Sequence, residues 1–287
     1  MCWVCDEYGN GTRWYFNPLN HARYMYNVKR PADKYKDYGT DPEAESGKLL
    51  FDAMNTRLTD PEKFKAIVKD MNRREMAFPK GPVQLAQTVT LEEAKQICDI
   101  AYPIAGLSCA CRRLDRAQEE TNEHEYSCTG LGVGMFKWER WPERYKGGVH
   151  FMDATESKEW LEKWDRAGFV HILMTFGKSP AGGPYVGGIC NCSYPDCISI
   201  RGRIDYGLEI NCLKSHYVAK VDFDLCNGCG VCAQRCQFGA LKFEVVKGKP
   251  NIDAFKCFGC ALCYTGCPTN AISLVERVKL PALKEAW

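Results

Sequence analysis

Two copies of one cysteine spacing, lying towards the C-terminus, constrain the fold more than any other feature. The first runs Cys226, Cys229, Cys232, Cys236 and the second Cys257, Cys260, Cys263, Cys267, each with the form C-x2-C-x2-C-x3-C. The flanks repeat as well. Val221 to Cys226 aligns with Ile252 to Cys257 at an offset of 31, and Gly239-Ala-Leu aligns with Asn270-Ala-Ile. Each half reads as a short strand, a loop carrying three closely spaced thiols, a helical turn and a returning strand.

The 287-residue chain holds 18 Cys in all. Trp3, Asp6, Glu7, Asn10 and Arg13 interrupt any apolar run after Met1, so no signal peptide is read. No stretch approaches the roughly 18 apolar residues of a membrane span. Without export, dense cysteine points to metal in a reducing compartment rather than to disulfides. The expected location is cytoplasmic. A formal charge of +2, with Lys and Arg interspersed among acids, gives no field that favours nucleic acid.

Residues 216–277 resemble the bacterial-type two-[4Fe–4S] ferredoxin family, whose clusters are carried by C-x2-C-x2-C-x3-C runs. The resemblance implies that the fourth thiolate of each run crosses to the other cluster. The first cluster would then take Cys226, Cys229, Cys232 and Cys267, and the second Cys257, Cys260, Cys263 and Cys236. Gly228, Gly230 and Gly259 would turn backbone N–H groups towards the inorganic sulfides. One position departs from the family: Pro268 follows the second run as usual, but Gln237 stands where the first run's Pro belongs. Its backbone N–H is an added donor near the second cluster. A pair of zinc ribbons is the competing account, though zinc favours two C-x2-C pairs across a longer gap. From His216 to Trp287 there are nine Lys or Arg and six Asp or Glu. That balance lacks the acidic shell of a diffusing ferredoxin and suits a fixed seat in a larger assembly.

The expected fold is α+β, in which the ferredoxin-like domain follows a cysteine-rich α/β unit (81–215) and an irregular aromatic-rich arm (1–80), with a tail at 278–287. In the arm, Trp3, Tyr8, Trp14, Tyr15, Phe16, Tyr24 and Tyr26 either pack on another subunit or fill a local core. Asp60-Pro61-Glu62 opens a short amphipathic helix, and Pro79 to Pro82 marks a break. Thr90 and Glu93 form a capping box before a second helix. A third spans roughly 155 to 166, stops at Gly168, and precedes a buried strand over Phe169 to Thr175. In the tail Trp287 reads as an exposed anchor.

Six further cysteines sit in loop-like contexts: Cys109 and Cys111 beside Arg112 and Arg113, then Cys128, then Cys190, Cys192 and Cys197. This unit is similar to cysteine-rich segments that precede two-cluster ferredoxin modules in some anaerobic iron–sulfur proteins. The similarity implies a third [4Fe–4S] cluster with four ligands from these six; a zinc site or inert buried thiols are the alternatives. Cys2 and Cys5 form another C-x2-C, and adding them makes eight thiols, enough for a fourth cluster or a zinc site. Cys98 and Cys212 read as core thiols.

Other signals carry less. Gly130, Gly132 and Gly134 miss the dinucleotide spacing and read as a turn near Cys128; Gly177-Lys178-Ser179 lacks the first P-loop glycine. His124 between Glu123 and Glu125 reads as a solvated turn, and His21, His150, His171 and His216 as isolated. No catalytic pair stands out. The expected function is an iron–sulfur electron-transfer subunit of an anaerobic oxidoreductase complex, with a flavoprotein or a molybdenum- or tungsten-type reductase as partner. A reductase with its own substrate site between the middle and ferredoxin units is the alternative.

Overall fold

The computed structural model describes residues 2–21, 52–53, 55–76, 85–109, 111–112, 125–132, 149–178 and 184–287. Tyr24, Tyr26, the break at Pro79–Pro82, Arg113, Glu123, His124, Gly134 and Ser179 lie outside them. Helices and strands mix, in keeping with an α+β class, and no described helix is long and apolar enough to cross a membrane.

The first described helix, α1 (Trp3–Tyr8), leads into short 3-10 turns at Trp14–Phe16 and Pro18–His21. This arm fills a core within the chain. Trp14 and Tyr15 are fully buried among Leu85, Val89, Ile97 and Leu213, and Trp14 Nε1 donates to Gln87 Oε1 at 2.7 Å. Next comes α2 (Pro61–Met71), where the Asp60 carboxylate accepts from the Lys63 amide and Pro61 sits at the first turn.

The middle unit is a six-stranded antiparallel sheet built from β1 (Ala86–Val89), β2 (Ile104–Leu107), β3 (Cys128–Leu131), β4 (His150–Met152), β5 (Val170–Lys178) and β6 (Pro184–Cys192). Their order across the sheet is β1-β5-β6-β3-β2-β4. The long β5–β6 pair lies between β1 and β3. Two helices cover one face. α3 (Leu91–Ile100) carries the expected capping box, with both the Thr90 and Glu93 bonds made, and α4 (Ala154–Arg166) is capped by Asp153. Gly130 lies within β3, so a strand does lead into this glycine stretch, and it ends at a turn where Gly132 takes φ +54°. α5 (Ile198–Tyr206) then ends on Gly207 in the left-handed region, the usual chemistry of a helix C-terminus.

The C-terminal unit contains β7 (Tyr217–Val221), α6 (Val231–Arg235), β8 (Leu241–Glu244), β9 (Lys249–Ile252), α7 (Leu262–Thr265) and β10 (Ile272–Glu276). The halves exchange strands. β7 pairs with β10 through Val221↔Ile272, and β8 pairs with β9 through Leu241↔Ile252. Adding the offset of 31 to Val221 and Leu241 gives Ile252 and Ile272, so the two pairings are one pairing repeated. The backbone repeats too: Gly228 and Gly259 share positive φ, as do Gly230 and Ala261, and Gly239 and Asn270. Trp287 is half-buried rather than exposed. Its ring meets His216, with centroids 5.2 Å apart, and its carbonyl accepts from Arg203.

Candidate metal centres

Two cavities open within the C-terminal unit. The first is lined by Cys226, Cys229, Cys232 and Cys267 with Val221, Pro250 and Ile272. The second is lined by Cys257, Cys260, Cys263 and Cys236 with Phe238, Phe258 and Leu262. Cys236 therefore faces the second run's cavity and Cys267 the first's, the grouping that the exchanged strands impose. No charged side chain lines either. Four sulfur donors in an apolar, glycine-walled hollow fit a thiolate-held cluster.

The local chemistry explains why glycine recurs. A Cβ on Gly259, at φ +66°, would stand 2.0 Å from the Tyr217 carbonyl oxygen, and one on Gly228 would stand 2.3 Å from that of Gly248. The loop passes too close to a neighbouring strand for any side chain. Burial pushes the Cys260 thiol up and raises Cys263 to about 12. Cys267 behaves otherwise: burial raises it, but hydrogen bonds from the Thr269 hydroxyl and the backbone around Thr269–Ile272 win, and its thiolate is favoured. The Ala271 amide donates to its Sγ at 3.3 Å. Gln237 does something the sequence alone does not reveal. Its side chain accepts from the Tyr194 amide at 2.7 Å and donates to the Gly168 carbonyl, fastening this unit to the middle one.

Six of the middle unit's eight cysteines, all but Cys98 and Cys212, meet in one largely buried place. Cys128 and Cys190 are directly opposed across β3 and β6. Cys109 and Cys111 come from the segment after β2, Cys192 from the end of β6, and Cys197 from the start of α5. Their thiols close a ring: Cys109 bonds Cys111 and Cys128, Cys190 bonds Cys128 and Cys192, and Cys197 bonds Cys192 and Cys111. Around it the preference alternates. Hydrogen bonds from their neighbours lower Cys109 and Cys197, and lower Cys190 to about 5, whereas Cys111, Cys128 and Cys192 are raised as donors. Burying several thiolates is costly unless positive charge faces them. Arg112 supplies one guanidinium: it lies over Phe169, contacts Ser127 and donates to the Asn191 carbonyl. Six sulfur donors gathered in one place, with a guanidinium beside Cys109, suit a metal centre.

Cys2 and Cys5 stand apart from that ring, in a different core, so they do not add to it as the eight-thiol arithmetic supposed. They meet His216, whose involvement its sequence neighbours do not signal. Cys2 Sγ lies 3.2 Å from Cys5 Sγ, and His216 Nε2 lies 3.3 Å from Cys5 Sγ. The hydrogen bond from Cys5 lowers Cys2 to about 4, against its burial. His171 is not isolated either. It is buried and held neutral by desolvation, bonded through Nδ1 to Asn191 Oδ1 at 2.7 Å, with Asp165 on its other side. His150 pairs with Glu156, and His21 bonds the Tyr15 carbonyl. Cys98 and Cys212 are core thiols, raised by burial.

Residues 219–271 match the family described as 4Fe-4S dicluster domain. The C-terminal unit is thus a ferredoxin-type iron–sulfur domain. The match does not extend to the middle unit.

Proposed function

We propose that the chain is an electron relay with three centres, acting as the iron–sulfur subunit of an anaerobic oxidoreductase complex, with a flavoprotein or a molybdenum- or tungsten-type reductase as partner. A dicluster ferredoxin domain supports iron–sulfur electron transfer. When bound, [4Fe–4S] clusters accept and donate single electrons. The first is assigned to Cys226, Cys229, Cys232 and Cys267, the second to Cys257, Cys260, Cys263 and Cys236. A third [4Fe–4S] centre draws on Cys109, Cys111, Cys128, Cys190, Cys192 and Cys197.

One observation carries this reading. Phe238, Phe258 and Leu262, which wall the second cavity, lie in the same apolar core as five of the six ring cysteines, with Cys111, Cys236 and Cys260 packed against it. Phe238 and Phe258 stack with centroids 4.0 Å apart. The chain thereby keeps water out between the second cavity and the ring. At the other end Cys229 is exposed, leaving the first cavity near a partner's reach. The seam between the units is filled by the Gln237 and Arg235 contacts, which favours a relay over a reductase with a substrate pocket there.

Anaerobic purification with iron and sulfide counting and EPR of the reduced protein tests the proposal. Iron near 12 per chain is expected with all three centres loaded, and about 8 with the ferredoxin unit alone. The variant Cys236→Ser should alter the second cluster's signal and Cys267→Ser the first's. Iron below about 4, with zinc in its place, would sink the relay.

A further inference from the structure

The geometry points to a mononuclear zinc site formed by Cys2, Cys5 and His216, independent of the relay, which clips the N-terminal arm to the start of the ferredoxin unit. Among the described residues, this is the one group of three metal-ligating side chains whose donor atoms all lie within 4.8 Å of one another. Donors on a single ion at 2.0–2.3 Å can stand no more than about 4.6 Å apart. Thiolates of a cubane each bind a different iron and are held further apart. A close trio of two sulfurs and one imidazole nitrogen therefore matches one ion. All three side chains are buried, and two thiolates with an imidazole suit borderline-soft zinc.

The hydrogen bonds behind the imidazole fix which nitrogen is free. Tyr15 donates its hydroxyl hydrogen to Glu93 Oε1 at 2.7 Å, and Arg13 pairs with the same carboxylate, which keeps it an acceptor. The Tyr15 oxygen, 3.0 Å from His216 Nδ1, must then accept that ring's N–H. The remaining nitrogen, Nε2, presents its lone pair to the two sulfurs. A ligating histidine whose other nitrogen donates into a hydrogen-bonded chain ending on a carboxylate is the usual second layer of a zinc site. Trp287 packs against the imidazole at a steep angle, with centroids 5.2 Å apart.

Cys5 and His216 are 211 positions apart, so the ion would close a very long loop and its binding would be linked to folding. The test is zinc and iron analysis of the full chain purified without oxygen, with X-ray absorption at the zinc edge, where iron does not interfere. About one zinc per chain is expected, with two sulfurs near 2.3 Å and nitrogen near 2.0–2.1 Å. Cys5→Ser and His216→Gln should each lower zinc at least fivefold and leave iron unchanged. His216→Cys guards against misfolding: it should keep zinc and change the site to three sulfurs. Wild-type protein with its iron but without zinc, a Cys2–Cys5 disulfide shown by alkylation and mass, or a folded His216→Cys protein lacking zinc would each overturn the site.

Discussion

Gly259 and Gly230 occupy loops of similar shape, yet they differ in what a side chain would meet. At Gly259 the Tyr217 carbonyl stands where a Cβ would go, whereas at Gly230 the space is open. The repeat already records the second case, since Ala261 occupies the position equivalent to Gly230 at φ +68°. Gly259→Ala should cost about 2–4 kcal/mol and strip the second cluster, while Gly230→Ala should cost about 1 kcal/mol and keep the first. Thermal melts with iron counts on both variants check the contrast; equal losses would refute it. Acid–base behaviour belongs to this scale too. Cys260 and Cys263 are raised by burial, so in the metal-free chain both carry protons that metal must displace. Each such thiol makes affinity rise about tenfold per pH unit while it stays protonated. Metal affinity of the second site should therefore rise with pH from about 7 to 9, measured by metal titration on Cys226→Ser protein. Affinity independent of pH would contradict it.

Elements are joined by polar contacts at the ends of α4 and α6. Arg235 donates to the Asp165 and Leu262 carbonyls, and Gln237 bridges to Tyr194 and Gly168. Proline after Cys236 could make neither Gln237 bond. Gln237→Ala should weaken the seam by about 1–3 kcal/mol, at about 1 kcal/mol per net hydrogen bond, with iron content unchanged. Hydrogen exchange at the Tyr194 amide should speed up, and unchanged protection there would refute the role. This seam also shows what sequence can reveal. The capping box at Thr90, the helix after Asp153 and the repeated strand–loop–turn were legible because their signals lie within a few residues. The crossing of Cys236 and Cys267 between the two sites was implied by the family resemblance, whereas the exchange of strands that produces it was not read from the repeat. Cys128 opposite Cys190 was not legible, because register across a sheet depends on how distant strands meet. Nor was His216, which gains a role only where an arm two hundred residues earlier comes to rest against it.

At the scale of the molecule, two buried cations, Lys214 and Arg277, and the half-buried Arg203 gather behind the second cavity. Arg277 donates to the Cys257 carbonyl at 2.8 Å, and Arg203 and Lys214 lie 5.6 and 5.8 Å from the centre of the Phe258 ring in the cavity wall. Burial, then their mutual repulsion, lowers Lys214 to about 8; burial brings Arg277 to about 10. Like charges held this close call for negative charge nearby, and a thiolate-held cluster would provide it. Each electron added there makes the cluster more negative, so these cations favour the reduced state and raise its potential. Below about pH 8 Lys214 is protonated and contributes; above that it progressively loses its charge. The cluster's own charge draws the lysine pKa upward, so the window opens near 8 and extends higher. The second cluster's midpoint should thus fall as pH rises through that window, by tens of mV, given about 60 mV per tenfold change for one electron. Lys214→Gln should lower the midpoint by a similar amount at pH 7 and abolish the slope, leaving the first cluster unmoved. EPR-monitored redox titration at pH 7 and 9.5 resolves this, and a wild-type slope that survives in Lys214→Gln would assign it to another group.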